Sequence, residues 1–217
     1  MELSELMKYV DHTVLSPQAT WKDITQCIDD AADFGCATAM IPPCFVHPAC
    51  AYAEGRVPIA TVIGFPHGNS TTEAKIAEAA DAVKNGAAEI DMVANISAIK
   101  EGHFATVECD IASVKYAIGD VPLKVIIECC LLSKDEQAQM CRVCADAGAD
   151  FIKTSTGFST GGATFENVKT LVDNAPEGLQ VKAAGGISSI EDAEKFIEIG
   201  ATRLGTSRLV KIAKENR

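Results

Sequence analysis

Lys153 is the residue of this sequence best suited to nucleophilic chemistry. It lies in the segment FIKTSTGF (residues 151–158), which starts apolar and continues into polar residues, as a buried strand does when it enters a loop. An ammonium group is costly to bury, so a lysine in such a strand tends to lose its proton, and the neutral amine is a nucleophile. We therefore predict that Lys153 attacks a carbonyl group.

Two charged residues in other apolar strands are its candidate partners. Lys182 lies in the middle of QVKAA (residues 180–184), the strand after that of Lys153, and Asp91 lies in EIDMV (residues 89–93). Two neighbouring ammonium groups repel each other, which together with burial favours one neutral amine, and a carboxylate nearby moves protons directly or through a water. The alternative is an ion-pair network that only supports the fold, since such networks also perturb titration. Lys124, at the start of the strand before that of Lys153, is predicted to be solvated.

Two glycine-containing turns are candidate phosphate sites. One follows the strand of Lys182 and contains Gly185 and Gly186, and the other contains Gly205 and Ser207. Backbone N–H groups in such turns and at helix N-termini bind phosphate. In the tripeptide DHT (residues 11–13), Asp11 and Thr13 could bind a substrate hydroxyl or serve as a structural cap. His67 is predicted to be a solvated turn residue.

Eight short strands alternate with helices, which predicts a single α/β domain over residues 1–217. The predicted strands are 9–13, 36–41, 59–64, 89–93, 123–128, 151–154, 180–184 and 203–205. The predicted helices are 20–34, 46–54, one that Thr71 or Thr72 caps and that ends at 85, 103–117, one from Ser133 to 147, 164–174, one opened by Ser189, and a terminal helix.

A repeated helix ending makes the prediction more specific. Glycine followed by a small residue ends a predicted helix four times, with two strands and two helices in each interval, at Gly35, Gly86, Gly148 and Gly200. A fourfold pattern of this kind favours a closed (β/α)8 TIM barrel over an open sheet. Five residues after these glycines lie Met40, Asp91, Lys153 and Gly205, and we predict that they share one layer inside the barrel. Asp91 and Lys153 would pair there, and Gly205 would leave room beside them.

Composition narrows the classes of function. The chain of 217 residues is 47% hydrophobic and carries a net charge of −11, which argues against nucleic acid as a partner. It has no apolar run of membrane-spanning length and no signal-peptide pattern at its start, so we expect no membrane partner and a cytoplasmic location. Cys141 and Cys144 have the Cys-x-x-Cys spacing, but their segment has a helical pattern and no second pair follows. We predict buried free thiols, with no metal site.

The sequence resembles the deoxyribose-phosphate aldolase family, class I aldolases on a (β/α)8 barrel, from Tyr9 to about Ile212. The resemblance is carried by the motifs DHT (11–13), VIGFP (62–66), EIDMV (89–93), IKTSTGF (152–158), VKAAGGI (181–187) and RLGTS (203–207). It implies reversible cleavage of 2-deoxy-D-ribose 5-phosphate, a phosphorylated sugar, to D-glyceraldehyde 3-phosphate and a small aldehyde, acetaldehyde. No metal or organic cofactor is implied, because the protonated imine is itself the electron sink. A homo-oligomer is possible.

The resemblance also implies roles for the candidate residues. Lys153 forms the Schiff base, Lys182 tunes its basicity and Asp91 joins the proton relay. The remaining members form a substrate-binding set, with Gly185, Gly186 and Ser207 at the phosphate, Asp11 and Thr13 near the sugar hydroxyl, and Thr156, Gly157 and Gly205 completing it.

The sequence departs from the family at three positions. Met40 replaces a frequent cysteine, Cys129 a frequent threonine and Arg208 an occasional second serine, and Arg208 could bind phosphate or be solvated. Two alternatives to the aldolase are a phosphate-ligand-binding barrel without catalysis and an imine-forming barrel enzyme acting on a larger ketose phosphate.

Overall fold

Eight parallel strands, paired in the order of the sequence, close into a barrel when the eighth returns to the first. The computed structural model describes residues 1–215. The strands are Val10–Thr13 (β1), Thr38–Ile41 (β2), Ile59–Ile63 (β3), Glu89–Val93 (β4), Leu123–Ile126 (β5), Phe151–Lys153 (β6), Gln180–Ala184 (β7) and Arg203–Thr206 (β8). The predicted (β/α)8 barrel is confirmed, with every predicted strand present and the ends shifted by at most two residues.

Helices connect the strands and surround the barrel. They are Leu3–Met7 (α1), Trp21–Asp33 (α2), Val46–Ala53 (α3), Thr72–Lys84 (α4), Ile96–Lys100 (α5), Phe104–Ile118 (α6), Lys134–Asp146 (α7), Phe165–Asn174 (α8), Ile190–Ile199 (α9) and Arg208–Glu215 (α10). Short 3₁₀ turns at Pro43–Phe45 and Cys129–Leu131 precede α3 and α7. The sequence did not predict α1 and α5, because five residues are too few to show a helical repeat.

Local sequence sets where the helices begin and end. The hydroxyl groups of Thr71, Ser133 and Ser189 accept backbone N–H bonds at the starts of α4, α7 and α9, as predicted. The four repeated glycines all have positive φ and follow helix ends: Gly35, Gly86, Gly148 and Gly200. In each case the next residue donates its N–H to the carbonyl five residues back, the bond of a Schellman cap. The repeat is therefore a structural stop signal.

The side chains form an outer core and a barrel interior with different chemistry. The large apolar core lies between the sheet and the helices. Inside the barrel, the only separate apolar cluster among residues 1–215 is Met40, Ala60 and Val62. Parallel register pairs Met40 with Ala60 and Val62 with Asp91, so these residues share the inner face. Charged side chains fill much of the rest of the interior.

Two further predictions concern the outside of the barrel. Cys141 and Cys144 are buried free thiols in α7, and burial raises the pKa of Cys141 to about 12. His67 is exposed in the turn after β3. None of the helices within residues 1–215 combines the length and the apolar character that a bilayer crossing requires.

Candidate active site

Lys153 ends β6 and is the lysine of the barrel interior that reaches the pocket above it. Its side chain is only about 4% exposed, and its Nζ lies 2.8 Å from Oδ2 of Asp91, as the sequence predicted. Burial lowers the pKa of Lys153 to about 8; Asp91 opposes the shift, and the positive charges of Lys182 and Lys124 add to it. A pKa this low gives a substantial fraction of neutral, nucleophilic amine near neutral pH.

Lys182 lies beside Lys153, because the two residues are register partners on β7 and β6. Its Nζ donates to the same oxygen of Asp91, at 2.7 Å, and also forms a very short contact with the Asp11 carboxylate. Gly205 makes room for this side chain: a Cβ at position 205 would lie 3.2 Å from Cε of Lys182 and 3.0 Å from Cβ of Ala184. Gly205 therefore leaves room beside the charged side chains, as predicted from the sequence.

Lys124 is completely buried, so the prediction that it is solvated is wrong. Its Nζ lies 2.8 Å from Oδ1 of Asp91 and 2.6 Å from Oε2 of Glu89. Register on β5 and β4 pairs Lys124 with Asp91, and this turns the lysine into the barrel. Burial alone would lower its pKa, but Asp91, Asp11 and Glu89 outweigh burial and raise the pKa above the ordinary lysine value.

Asp11 lies beneath the pocket and does not line it. Its side chain is fully buried, its Oδ1 accepts from Thr38 at 2.9 Å and from Arg203 at 2.7 Å, and its Oδ2 contacts Lys182. Burial alone would raise the pKa of Asp11, but Lys182, Lys124 and Arg203 lower it to about 2. Arg203 also binds Glu89 through two bonds of 2.8 and 3.2 Å. The place near the sugar hydroxyl that the resemblance implies for Asp11 stays a prediction.

Among the cations of this network, Lys153 has the fewest carboxylate partners, which leaves the effect of burial on its pKa poorly compensated. Four cations, Lys124, Lys153, Lys182 and Arg203, share three carboxylates, Asp11, Glu89 and Asp91. Each of the other cations contacts at least two of these carboxylates, but Lys153 contacts Asp91 alone. The pKa of Asp91 is well below the ordinary value, because Lys124, Lys153 and Lys182 outweigh its burial. One positive charge is in excess, and Lys153 is the least compensated site.

The pocket opens above Lys153 at the carboxyl ends of the strands, with a volume of about 520 Å³. Seven of the predicted substrate-binding residues line it: Thr13, Thr156, Gly157, Gly185, Gly186, Gly205 and Ser207. Arg208, the first residue of α10, lines it as well. Asp91 and Lys182 are fully buried below it; Asp91 accepts a bond from Lys153, and Lys182 is the register partner of Lys153. The structure thus brings the predicted residues together in two layers, a charged layer below and an open pocket above.

Two loop residues were missed by the sequence analysis. A Cβ on Gly162 would lie 2.5 Å from the backbone of Gly185, so the loop after β6 approaches the loop after β7 as only glycine allows. The adjacent Gly161 and Gly162 were a signal for such a close approach. Glu128 follows β5 with positive φ, and its buried carboxylate accepts bonds from Thr156. Its backbone conformation has no signature in the sequence.

A buried lysine that faces an open pocket at the carboxyl end of a (β/α)8 barrel is an arrangement typical of class I aldolases. The sequence comparison specifies the family. The sequence model described as DeoC/LacD family aldolase matches residues 5–211, so the chain belongs to this family.

Individual relatives agree along the whole chain. The chain is 54% identical to a deoxyribose-phosphate aldolase of Streptococcus agalactiae serotype Ia over 217 residues, which cover 100% of this chain and 97% of the relative. It is 54% identical to that of Streptococcus pyogenes serotype M4 over 214 residues, which cover 99% and 96%.

Solved structures give the same result. The tetrameric deoxyribose phosphate aldolase of Aeropyrum pernix superposes with a TM-score of 0.89 at 33% identity, covering 98% of this chain and 91% of that one. The aldolase QR15 superposes with a TM-score of 0.93 at 37% identity, covering 98% and 96%.

Proposed function

We propose that this chain is a class I aldolase that reversibly cleaves 2-deoxy-D-ribose 5-phosphate to D-glyceraldehyde 3-phosphate and acetaldehyde. The observation that carries the proposal is Lys153, a buried amine with a pKa of about 8 that lines the pocket. The substrate is inferred from the deoxyribose-phosphate aldolases to which the chain is 54% identical.

In the proposed reaction, the neutral amine of Lys153 attacks C1 of the open-chain sugar, and loss of water gives a protonated imine. A base removes the proton of the C3 hydroxyl, the C2–C3 bond breaks, and its electron pair enters the C1–C2 bond to give an enamine. D-Glyceraldehyde 3-phosphate leaves, C2 takes up a proton, and water then releases acetaldehyde from Lys153.

The buried charged residues support these reaction steps by controlling the protonation of Lys153. Oδ2 of Asp91 accepts from both Lys153 and Lys182, so it offers a route for a proton between the two amines. Lys182 also lowers the pKa of Lys153. The role of Asp11 in this reaction is indirect, through its contact with Lys182. Thr13, which lines the pocket, is the residue of β1 that faces the sugar.

We assign the phosphate of the substrate to the end of the pocket formed by the loops after β7 and β8. Gly185, Gly186 and Ser207 line that end, at the beginning of α10, where backbone N–H groups favour an anion. Arg208 adds a cationic side chain to the same wall, which supports its assignment to the phosphate.

Two further proposals concern the state of the protein in the cell. All nine cysteines are free, which fits the reducing cytoplasm. The resemblance to a tetrameric aldolase makes a homo-oligomer the state to test, and light scattering coupled to size-exclusion chromatography would measure it.

Borohydride trapping tests the proposed function directly. Incubation with acetaldehyde and borohydride is expected to attach a reduced two-carbon group to Lys153, located by peptide mass spectrometry. Lys153→Arg should give no adduct and no turnover, whereas Lys169→Arg, a change at an exposed lysine of α8, should behave like the wild type. Full turnover by Lys153→Ala would refute the proposal.

Two other outcomes would favour the alternative functions. Saturable binding of sugar phosphate without aldehyde release would indicate a phosphate-ligand-binding barrel without catalysis. Preference for a larger ketose phosphate would indicate a different imine-forming enzyme.

A further inference from the structure

Glu128 has a backbone conformation that is rare for its residue type. It follows β5 with φ of 52° and ψ of 65°, in the left-handed region. Within residues 1–215, Glu54 is the only other residue besides glycine with positive φ, and it is an exposed residue at the end of α3. Because side chains disfavour this region, the conformation persists only where surrounding contacts impose it, and such residues cluster at functional sites.

Backbone bonds on both sides of Glu128 impose the conformation. The N–H of Ile127 donates to the carbonyl of Lys153 at 3.0 Å, and the N–H of Cys129 donates to the carbonyl of Thr154 at 2.8 Å. Glu128 therefore lies between two bonds to the strand end that carries Lys153. The left-handed turn at Glu128 directs its side chain toward the loop that follows Lys153.

The carboxylate of Glu128 is an acceptor for a single residue of that loop. It is buried, its two oxygens each lie 3.3 Å from the backbone N of Thr156, and Oε2 also accepts a very short bond from the Thr156 hydroxyl. Among residues 1–215, no cation lies within ion-pair distance of it. The Cys130 thiol is a more distant donor, with its Sγ 3.9 Å from Oε1. A buried carboxylate without a cation depends on such donors, so the contact between Glu128 and Thr156 is strongly constrained.

The bonds to Glu128 extend to the wall of the pocket. The Thr156 hydroxyl oxygen accepts from the N–H of Phe158 at 3.0 Å, so both Thr156 donors and its oxygen are engaged. Thr156, Gly157 and Phe158 line the pocket, and the Phe158 ring packs edge-on against Phe65 with 5.3 Å between centroids. Glu128 thus fixes three consecutive wall residues that begin three positions after Lys153.

We propose that Glu128 is a positioning residue that holds the wall segment 156–158 at a fixed distance from the amine of Lys153. The inference rests on the proposed aldolase function, since it assigns a role within that pocket. The carboxylate acts on the substrate only through Thr156 and its neighbours. Loss of the wall contact should misplace the sugar phosphate while leaving the amine of Lys153 reactive toward small aldehydes.

The sharpest test replaces Glu128 by glycine, which tolerates positive φ and so removes the carboxylate without straining the turn. Glu128→Gly is expected to lower kcat/KM for 2-deoxy-D-ribose 5-phosphate by about 10- to 100-fold, the scale of a small misplacement of substrate. The rate of borohydride trapping with acetaldehyde should equal that of the wild type, because acetaldehyde has no hydroxyl or phosphate group for the wall segment to position. Glu128→Gln should retain more activity, since its amide oxygen still accepts the Thr156 N–H. Glu54→Gly is the matched control and should leave both rates unchanged.

The outcomes separate the possible roles of Glu128. Unchanged kcat/KM in Glu128→Gly would overturn the inference. A parallel fall in cleavage and trapping would also overturn it, because Glu128 would then act on Lys153 or on the fold as a whole. Failure of the proposed function is distinguished from these results, because it would appear in the wild type as absence of cleavage.

Discussion

Lys153 and Lys182 are register partners on adjacent strands, and their ammonium groups bond to the same oxygen, Oδ2 of Asp91, at 2.8 and 2.7 Å. Lys182 has a second carboxylate in Asp11, and Lys153 does not. The pair is therefore unequal, although both lysines are buried in the barrel interior. This inequality leaves the burial of Lys153 less compensated by negative charge, which fits the lowered pKa of this lysine.

The first prediction is that the rate of imine formation follows the titration of Lys153. Only the neutral amine attacks, so borohydride trapping of acetaldehyde should rise with pH, with a midpoint at about 8. Lys182→Met removes a positive charge that lowers this pKa, so the midpoint should move to higher pH. Lys169→Met, at an exposed position, should keep the wild-type midpoint. A midpoint that stays or falls in Lys182→Met would contradict the assigned role of Lys182.

The second prediction concerns Asp91 and the stability of the barrel. Asp91→Asn leaves Lys124, Lys153 and Lys182 buried without the carboxylate they share. Removing one partner of a buried ion pair typically costs about 3–5 kcal/mol, so the free energy of unfolding in urea should fall by that order. Asp173→Asn breaks an exposed pair with Lys169 and should cost less than about 1 kcal/mol. Similar losses in the two variants would show that the network does not depend on Asp91.

The third prediction concerns the contact between the two loops at the pocket. Gly162→Ala would place a methyl group 2.5 Å from backbone atoms of Gly185, which cannot rotate away. We expect the loop after β7 to shift and KM for the sugar phosphate to rise about tenfold. In Gly161→Ala the new methyl group meets the Cβ of Cys130 at 3.1 Å, a milder contact with a side chain. Equal KM values for the two variants would rule out the close approach as a requirement for binding.

The fourth prediction is a loss of stability in acid that involves Asp11. Its pKa is about 2 in the folded protein and 3.8 as an ordinary side chain, so ionised Asp11 favours the folded state. This contribution is complete above pH 3.8 and is lost as the pH falls through about 2.

Asp11→Asn should therefore be less stable near neutral pH and should show a shallower decline of the free energy of unfolding between about pH 4 and pH 2. The measurement is urea unfolding at a series of pH values. Asp120→Asn, in an exposed turn, should keep the wild-type slope. An unchanged slope in Asp11→Asn would contradict the lowered pKa of Asp11.

The pairing of Asp91 with Lys153 and the barrel itself followed from local and periodic features of the sequence. Apolar strands, capping residues and the four glycine stops act within a few residues, so the order of elements could be derived without knowing the fold. A lysine in an apolar strand is unusual wherever the strand lies, so Lys153 was identified from its type and position. The family resemblance supplied the specific reaction.

Only the tertiary structure decided which charged residues contact one another and how the loops at the pocket are held. Lys124 was predicted to be solvated because it stands at the start of its strand, away from the catalytic end of the barrel. Register with Asp91 shows instead that its side chain points into the barrel. Closure of the barrel brought Asp11 of β1 against Lys182 of β7, and the pairing of β5 with β6 placed Glu128 beside Thr156. These contacts join residues far apart in sequence, and their distances depend on register around all eight strands.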